Sequence, residues 1–166
     1  PGVSSTAPPV SITWPSATAV ARRYGWGKLG LLHFDAHADT ADILEGNLAS
    51  HGTPMRRLIE SGAVRGRNFV QVGLRGYWPP ADVFDWMLEQ DMTWHLMHEM
   101  WDRGVRPVIT DAIARAVAGC AALSLSVAID VVAPGFAPGA GPPQPGRSDP
   151  ARPARATQIP RPLMRP

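Results

Sequence analysis

Three side chains that can bind a metal ion follow an apolar run in the first quarter of the chain. Asp35, His37 and Asp39 are spaced two residues apart, directly after the apolar segment that ends at Phe34. In an extended backbone, residues two apart lie on one face, so the three side chains would converge. An imidazole with two carboxylates suits a divalent ion such as Mn²⁺. The spacing predicts a metal site; the alternative is a strand end followed by a solvated acidic loop.

The segments around this motif alternate between strand and helix patterns. Continuous apolar runs predict buried parallel strands at 29–34, 68–74 and 123–131, with a shorter strand at 92–96. Helical patterns lie between them, at 15–24, 54–61, 82–90, 97–103 and 107–118. This order predicts an α/β fold with a mainly parallel sheet, whose ligand site lies at the carboxyl ends of the strands. Asp130, near the end of another strand, would then meet the first motif.

Composition and length indicate a soluble globular protein. The chain has 166 residues, of which 45% are hydrophobic and 18% charged, with a net charge of +2. No apolar run reaches the roughly 18 residues that a membrane span needs, and no signal peptide is visible. The single cysteine, Cys120, cannot form an internal disulfide, so we expect a cytoplasmic location. No membrane or nucleic-acid partner is expected.

The sequence changes character after the last predicted strand. We expect a partial α/β domain over 1–133, irregular over 1–10, and a tail over 134–166 that holds ten prolines in 33 residues. Such a segment cannot bury much apolar surface, so the tail is expected to be mostly disordered. Its arginines are interrupted by prolines and lack interleaved aromatics, which favours a solvated tail over a nucleic-acid binder.

Four motifs resemble the ureohydrolases, the binuclear manganese amidinohydrolases that include arginase, agmatinase and guanidinobutyrase. The motifs are His-Phe-Asp-Ala-His-Ala-Asp-Thr at 33–40, Ser-His-Gly-Thr-Pro at 50–54, Gln-Val-Gly-Leu-Arg-Gly at 71–76, and Ser-Val-Ala-Ile-Asp at 126–130 leading into 134–139. The Arg-Gly-Tyr-Trp-Pro-Pro run at 75–80 is more similar to the agmatinase and guanidinobutyrase branch than to arginase.

The resemblance implies a fold, a reaction and a set of site residues. The fold would be a three-layer α/β/α domain, incomplete at both ends, in a homo-oligomer. The reaction would be hydrolysis of a small guanidino substrate, agmatine or 4-guanidinobutyrate, to an amine and urea by water activated between two Mn²⁺ ions. The implied roles are Asp35 as the carboxylate shared by both ions, His37 as a ligand of one ion, Asp39 as a ligand of the other, Asp130 as a further ligand on the His37 side, His51 as a proton shuttle and Asn47 as a substrate contact.

Three positions depart from the family pattern. Val10 stands where the family has a histidine ligand, Ala128 where it has a bridging aspartate, and Ala133 where it has a third acid. One metal position keeps Asp35, His37 and Asp130, whereas the other keeps only Asp35 and Asp39, so we expect one ion or none. The alternative to an active enzyme is an impaired remnant or non-catalytic subunit with a partial metal site.

The sequence also predicts the roles of two further residues near the motifs. His33 precedes the first motif on its strand and is expected to be structural rather than a ligand. Arg75 follows a predicted strand and is expected to pair with a neighbouring carboxylate rather than to bind an anion.

Overall fold

A computed structural model describes residues 11–76 and 79–133, in which helices and strands alternate except for two consecutive helices before the last strand. In chain order the elements are α1 (Thr13–Tyr24), β1 (Leu29–Phe34), α2 (Pro54–Glu60), β2 (Val64–Leu74), α3 (Ala81–Glu89), β3 (Thr93–Leu96), α4 (Met97–Asp102), α5 (Val105–Val117) and β4 (Ala122–Val127), followed by a 3₁₀ turn, Ile129–Val131. The expected segments 1–10 and 134–166 lie outside the described residues. None of the described helices has the length and apolarity that a membrane crossing requires.

The four strands form one parallel sheet in the order β3-β2-β1-β4. β1 lies at the centre and is buried along its whole length, as its unbroken apolar sequence predicts. Leu32 of β1 lies opposite Val70 of β2 and Leu125 of β4. The predicted α/β fold with a mainly parallel sheet is confirmed.

Helices cover both faces of the sheet. Successive side chains of β1 point to opposite faces, so each face contributes apolar residues to a different cluster. Leu29 and Leu31 pack with α1, α2 and α3, whereas Leu32 and Phe34 pack with α4 and α5. The two apolar clusters make the three-layer α/β/α arrangement that the resemblance implied.

The strand predicted over 123–131 is shorter than expected. β4 ends at Val127, and the chain then forms the 3₁₀ turn, so Asp130 lies on a turn rather than on a strand. The amide of Ala128 donates to Phe34 O (2.8 Å), which joins the start of the turn to the end of β1. Within the turn, the carbonyl groups of Asp130 and Val131 accept hydrogen bonds from the side chain of Arg75.

Backbone hydrogen bonds join the loops at the carboxyl edge of the sheet. The amide of Asp35 donates to Val72 O (3.2 Å), and the amide of Arg75 donates to Ala36 O (3.1 Å). Together with the bond from Ala128 to Phe34, they hold the segments after β1, β2 and β4 next to one another. This edge is where a ligand site is expected in a parallel sheet.

Candidate metal centre

His37 lies between two carboxylates that come from different parts of the chain. Its Nδ1 lies 3.0 Å from Asp130 Oδ2 and 3.6 Å from Asp35 Oδ1. The backbone amide of His37 also donates to Asp35 Oδ1 (2.7 Å), which fixes the loop between these two residues. Donor atoms of Asp35, His37 and Asp130 all lie within 4.8 Å of one another.

A second group of potential ligands shares Asp35 with the first. It consists of His33, Asp35 and Asp39, again with donor atoms within 4.8 Å of one another. His33 Nε2 lies 3.2 Å from Asp35 Oδ2, so the two oxygens of Asp35 face different imidazoles. The structure therefore places His37 in one group and Asp39 in the other.

The path of the backbone at Asp39 differs from the extended geometry that the spacing suggested. β1 ends at Phe34, so the alternation of a strand does not apply to the residues that follow. Asp39 has a φ of 54°, a left-handed conformation that aspartate tolerates better than most residues. Its carbonyl accepts a hydrogen bond from the amide of Met55 in α2 (3.1 Å). A turn anchored to α2, and not the pleat of a strand, positions Asp39.

Two buried polar residues, His33 of β1 and Gln71 of β2, lie beneath the loop that carries Asp35, and His33 contacts the Asp35 carboxylate. His33 lies opposite Gln71 in the sheet register, and Gln71 Nε2 lies 3.4 Å from His33 Nδ1. The same Nε2 donates to Ala38 O (2.6 Å) in the loop that carries the ligands. The sequence predicts Gln71 only as part of a buried strand and of the motif at 71–76, with no role of its own, although a glutamine within a buried apolar strand indicates an internal polar partner.

Histidines and aspartates hold each other in charged form within the site. Hydrogen bonds to Asp130 and then to Asp35 raise the pKa of His37 to about 10. Burial opposes ionisation of Asp35, but hydrogen bonds from His33 and His37 outweigh burial and hold its pKa well below the usual range. Burial also disfavours a charged His33, yet its bond to Asp35 raises the pKa of the imidazole. Protons on the imidazoles thus bind the cluster together in the metal-free chain.

Asp39 has the opposite behaviour. Burial, followed by repulsion from the negative charge of Asp35, raises its pKa to about 7. A carboxyl group that resists ionisation in this way gains most from a nearby cation. Its neighbour across the site, Asp130, has a buried oxygen, Oδ1, without a hydrogen-bond partner. An orphaned carboxylate oxygen beside an imidazole and a second carboxylate fits a hard divalent cation such as Mn²⁺.

His51 and Asn47 lie on the loop between Asp39 and α2. Both are exposed; His51 Nδ1 lies 3.3 Å from Ser50 Oγ, and Asn47 Nδ2 donates to Glu45 O (3.2 Å). Among the described residues, neither side chain has a hydrogen bond or ion pair with the metal-ligand candidates. Their predicted roles therefore remain predictions.

The positions that depart from the family pattern are placed as follows. Ala128 lies between β4 and the turn that carries Asp130, and it offers no donor atom to either group. Ala133 is buried, with 8% of its surface exposed. Val10 lies outside the described residues. In the second group the only imidazole within reach is His33, among the residues that the structure describes.

Arg75 does not pair with a carboxylate as expected. Its guanidinium donates instead to backbone carbonyls, of which Asp130 O (2.6 Å) and Val131 O (3.2 Å) are the closest. The reason is geometric: the turn after β4 presents successive carbonyl groups to the end of β2, where Arg75 begins the following loop.

Comparison with known proteins agrees with these motifs. A sequence model of the arginase family matches residues 10–151. The chain belongs to the arginase family. It is similar to the guanidinobutyrase of Pseudomonas aeruginosa, with 35% identity over 136 residues that cover 82% of this chain and 41% of that protein. The chain thus spans about two fifths of the length of this relative.

Solved structures of arginase-family proteins show the same fold. The proclavaminate amidinohydrolase of Streptomyces clavuligerus aligns with a TM-score of 0.75 and 30% identity, over 87% of this chain and 46% of that one. The formimidoylglutamase of Bacillus subtilis aligns with a TM-score of 0.80 over 87% of this chain and 44% of that one. At 24% identity, the second likeness speaks for the fold alone.

Proposed function

We propose that this arginase-family chain is a manganese-dependent amidinohydrolase that hydrolyses a guanidino compound to an amine and urea. The observation that carries the proposal is the sharing of Asp35 between two groups of ligand candidates at the carboxyl edge of the sheet. We assign one Mn²⁺ to the group of Asp35, His37 and Asp130, because the other group includes His33, which we expect to be structural rather than a ligand. The unpartnered oxygen of Asp130 supports this assignment.

Each residue of the site has its own role in the proposed reaction. A bound divalent ion would act as a Lewis acid and make water a competent nucleophile near neutral pH. Asp35 and Asp130 supply negative charge to hold the cation, and His37 supplies a nitrogen ligand once its proton has left. Asp39 is the ligand candidate for a second ion. His51 is proposed to carry a proton to the leaving amine, and Asn47 to contact the substrate.

The substrate class follows from the relatives. The relatives include a guanidinobutyrase and a chicken mitochondrial agmatinase, which is 34% identical over 134 residues. We therefore propose 4-guanidinobutyrate or agmatine as the substrate. The homo-oligomeric state that we propose rests on the family resemblance, and the proposed cytoplasmic location rests on the single cysteine, Cys120.

Ala128 favours a second candidate function. Because it removes a carboxylate from the position where the family pattern has a bridging aspartate, the chain could be a non-catalytic subunit or impaired relative with one partial metal site. This candidate retains Mn²⁺ binding but predicts no turnover.

Urea release separates the two candidates. Purified protein is incubated with Mn²⁺ and either 4-guanidinobutyrate or agmatine, and urea is measured with time. Turnover that disappears in Asp130→Asn, but persists in the distant surface variant Asp111→Asn, supports the enzyme. Absence of urea, with Mn²⁺ bound, supports the non-catalytic subunit.

A further inference from the structure

We propose that Arg75 is a positioning residue that sets the spacing between His37 and Asp130. The inference rests on the proposed metal site, and it concerns how that site is held together. Arg75 follows β2, whereas His37 follows β1 and Asp130 follows β4, so Arg75 reaches across the end of the central strand.

Arg75 contacts the loops that carry both ligand candidates. Its backbone amide donates to Ala36 O (3.1 Å), between Asp35 and His37. Its guanidinium donates through Nη2 to Asp130 O (2.6 Å) and through Nη1 to Val131 O (3.2 Å). Longer contacts reach Val132 O and Gly73 O, both 3.4 Å away. One residue thus joins the two segments whose side chains meet at 3.0 Å.

The fork of the guanidinium is needed for this arrangement. A planar group with several N–H donors can bind carbonyls of successive residues at once, which the single ammonium of lysine cannot do with the same geometry. Those carbonyls belong to the 3₁₀ turn and the residue after it. The guanidinium of Arg75 donates to them from the loop that follows β2. Without it, the turn loses the hydrogen bonds that Arg75 donates to the carbonyls of Asp130 and Val131.

Gly73 allows the turn to lie against the end of β2. A Cβ placed on Gly73 would be 2.9 Å from Val131 Cγ2 and 3.2 Å from Asp35 O, and the residue has a φ of +104°. The turn therefore packs closely against β2, within reach of the guanidinium. The close packing involves Val131, which is one of the three residues, 130–132, whose carbonyls accept hydrogen bonds from Arg75.

An effect of the charge of Arg75 and an effect of its positioning role predict opposite changes in Mn²⁺ affinity when the residue is removed. The guanidinium is a cation near a proposed cation site, so removing it on grounds of charge alone should tighten Mn²⁺ binding. If Arg75 instead holds Asp130 against His37, its removal should weaken binding. The sign of the change therefore distinguishes the two effects.

Mn²⁺ affinity of the full chain is the readout, measured by the electron paramagnetic resonance signal of free Mn²⁺. We expect Arg75→Met to weaken binding about tenfold, as loss of groups that orient metal ligands does. Arg103→Met, which removes an exposed arginine paired with Glu99 and Asp111, is the matched control and should leave affinity unchanged. Circular dichroism and thermal melting establish that each variant is folded.

Coupling to Asp130 tests the route by which Arg75 acts. In Asp130→Asn, whose ligand is already impaired, adding Arg75→Met should cost little further affinity, whereas in Asp39→Asn it should still cost about tenfold. A general loss of structure would weaken both backgrounds equally. Equal losses therefore overturn the positioning role.

Each remaining outcome bears on the inference. Should Arg75→Met fail to fold, Arg75→Lys retains the charge without the fork, and it should still weaken Mn²⁺ binding; wild-type affinity in this variant overturns the inference. Unchanged or tighter binding in Arg75→Met also overturns it. A wild-type chain that binds no Mn²⁺ refutes the proposed metal site itself, and that result is distinguishable because it precedes any comparison of variants.

Discussion

His37 Nδ1 lies 3.0 Å from Asp130 Oδ2, although 93 residues separate the two in the sequence. The contact arises because β1 and β4 are adjacent parallel strands, so the segments that follow them emerge at one edge of the sheet. The carboxylate of Asp130 raises the pKa of the His37 imidazole. The other oxygen of that carboxylate, Oδ1, is buried without a hydrogen-bond partner. The pair is the centre of the proposed metal site.

Asp130 should matter more for Mn²⁺ binding than Asp39 at mildly acidic pH. At pH 6.5 most of Asp39 is already neutral, because burial and Asp35 raise its pKa to about 7. Asp39→Asn then removes little charge and is the matched control for Asp130→Asn. We expect Asp130→Asn to weaken Mn²⁺ binding by at least about tenfold and Asp39→Asn by much less. Isothermal titration of both variants tests this, and equal losses would refute the assignment of the ion to the His37 side.

Mn²⁺ binding should release protons and tighten as pH rises. The pKa of His37 is raised to about 10, so the imidazole is protonated at neutral pH and must lose its proton before it can act as a ligand. One displaced proton makes affinity rise about tenfold per pH unit between pH 6 and 8, with a further contribution as Asp39 ionises. Titrations at several pH values, in buffers of different ionisation enthalpy, measure both quantities. A pH-independent affinity would contradict the role of His37.

The same raised pKa determines how His37 affects folding. Because the folded-state pKa lies above the ordinary value of 6.5, His37 stabilises the metal-free fold fully below pH 6.5 and loses that contribution as pH rises towards about 10. Urea unfolding of the wild-type chain and His37→Ala should therefore differ most at pH 6 and least at pH 10. A constant difference between the two would show that the imidazole proton is not involved.

His33 should stabilise the fold through Asp35. The imidazole is 2% exposed and lies 3.2 Å from Asp35 Oδ2, so His33→Phe leaves a buried carboxylate without this partner. Removing one member of a buried charged pair costs on the order of 3–5 kcal/mol in the free energy of unfolding. Urea unfolding measures the loss, with His98→Phe as an exposed-histidine control. A loss below about 1 kcal/mol would mean that Asp35 does not depend on His33.

The elements of the fold were largely predictable because they depend on local patterns. The apolar run of β1 and the proline at the start of α2 indicate both elements at their observed positions. Contacts across the sheet were less accessible: His33 with Gln71, and Arg75 with the turn at 129–131, depend on register and on a loop path that no local spacing encodes. Asp39 illustrates the same limit, since its left-handed backbone replaced the extended geometry that the motif suggested.

β4 should mediate self-association of the chain. Within residues 11–76 and 79–133 it pairs with β1 on one side and with no strand on the other, and Leu125 and Val127 are 40% and 48% exposed. An unpaired apolar edge favours pairing between copies, and a lysine on the edge opposes it. Sedimentation analysis should show that Val127→Lys shifts the population towards monomer. Leu88→Lys, at a 62% exposed apolar position on α3, is the control; an equal effect of both variants would contradict a specific role for the edge.

The Mn²⁺ content of the purified chain tests the central claim most directly. Metal-free protein is equilibrated with Mn²⁺ by dialysis, and bound metal per chain is measured by elemental analysis together with protein concentration. The proposed site at Asp35, His37 and Asp130 predicts one tightly held ion per chain. A chain that is folded by circular dichroism and retains no Mn²⁺ would contradict the account.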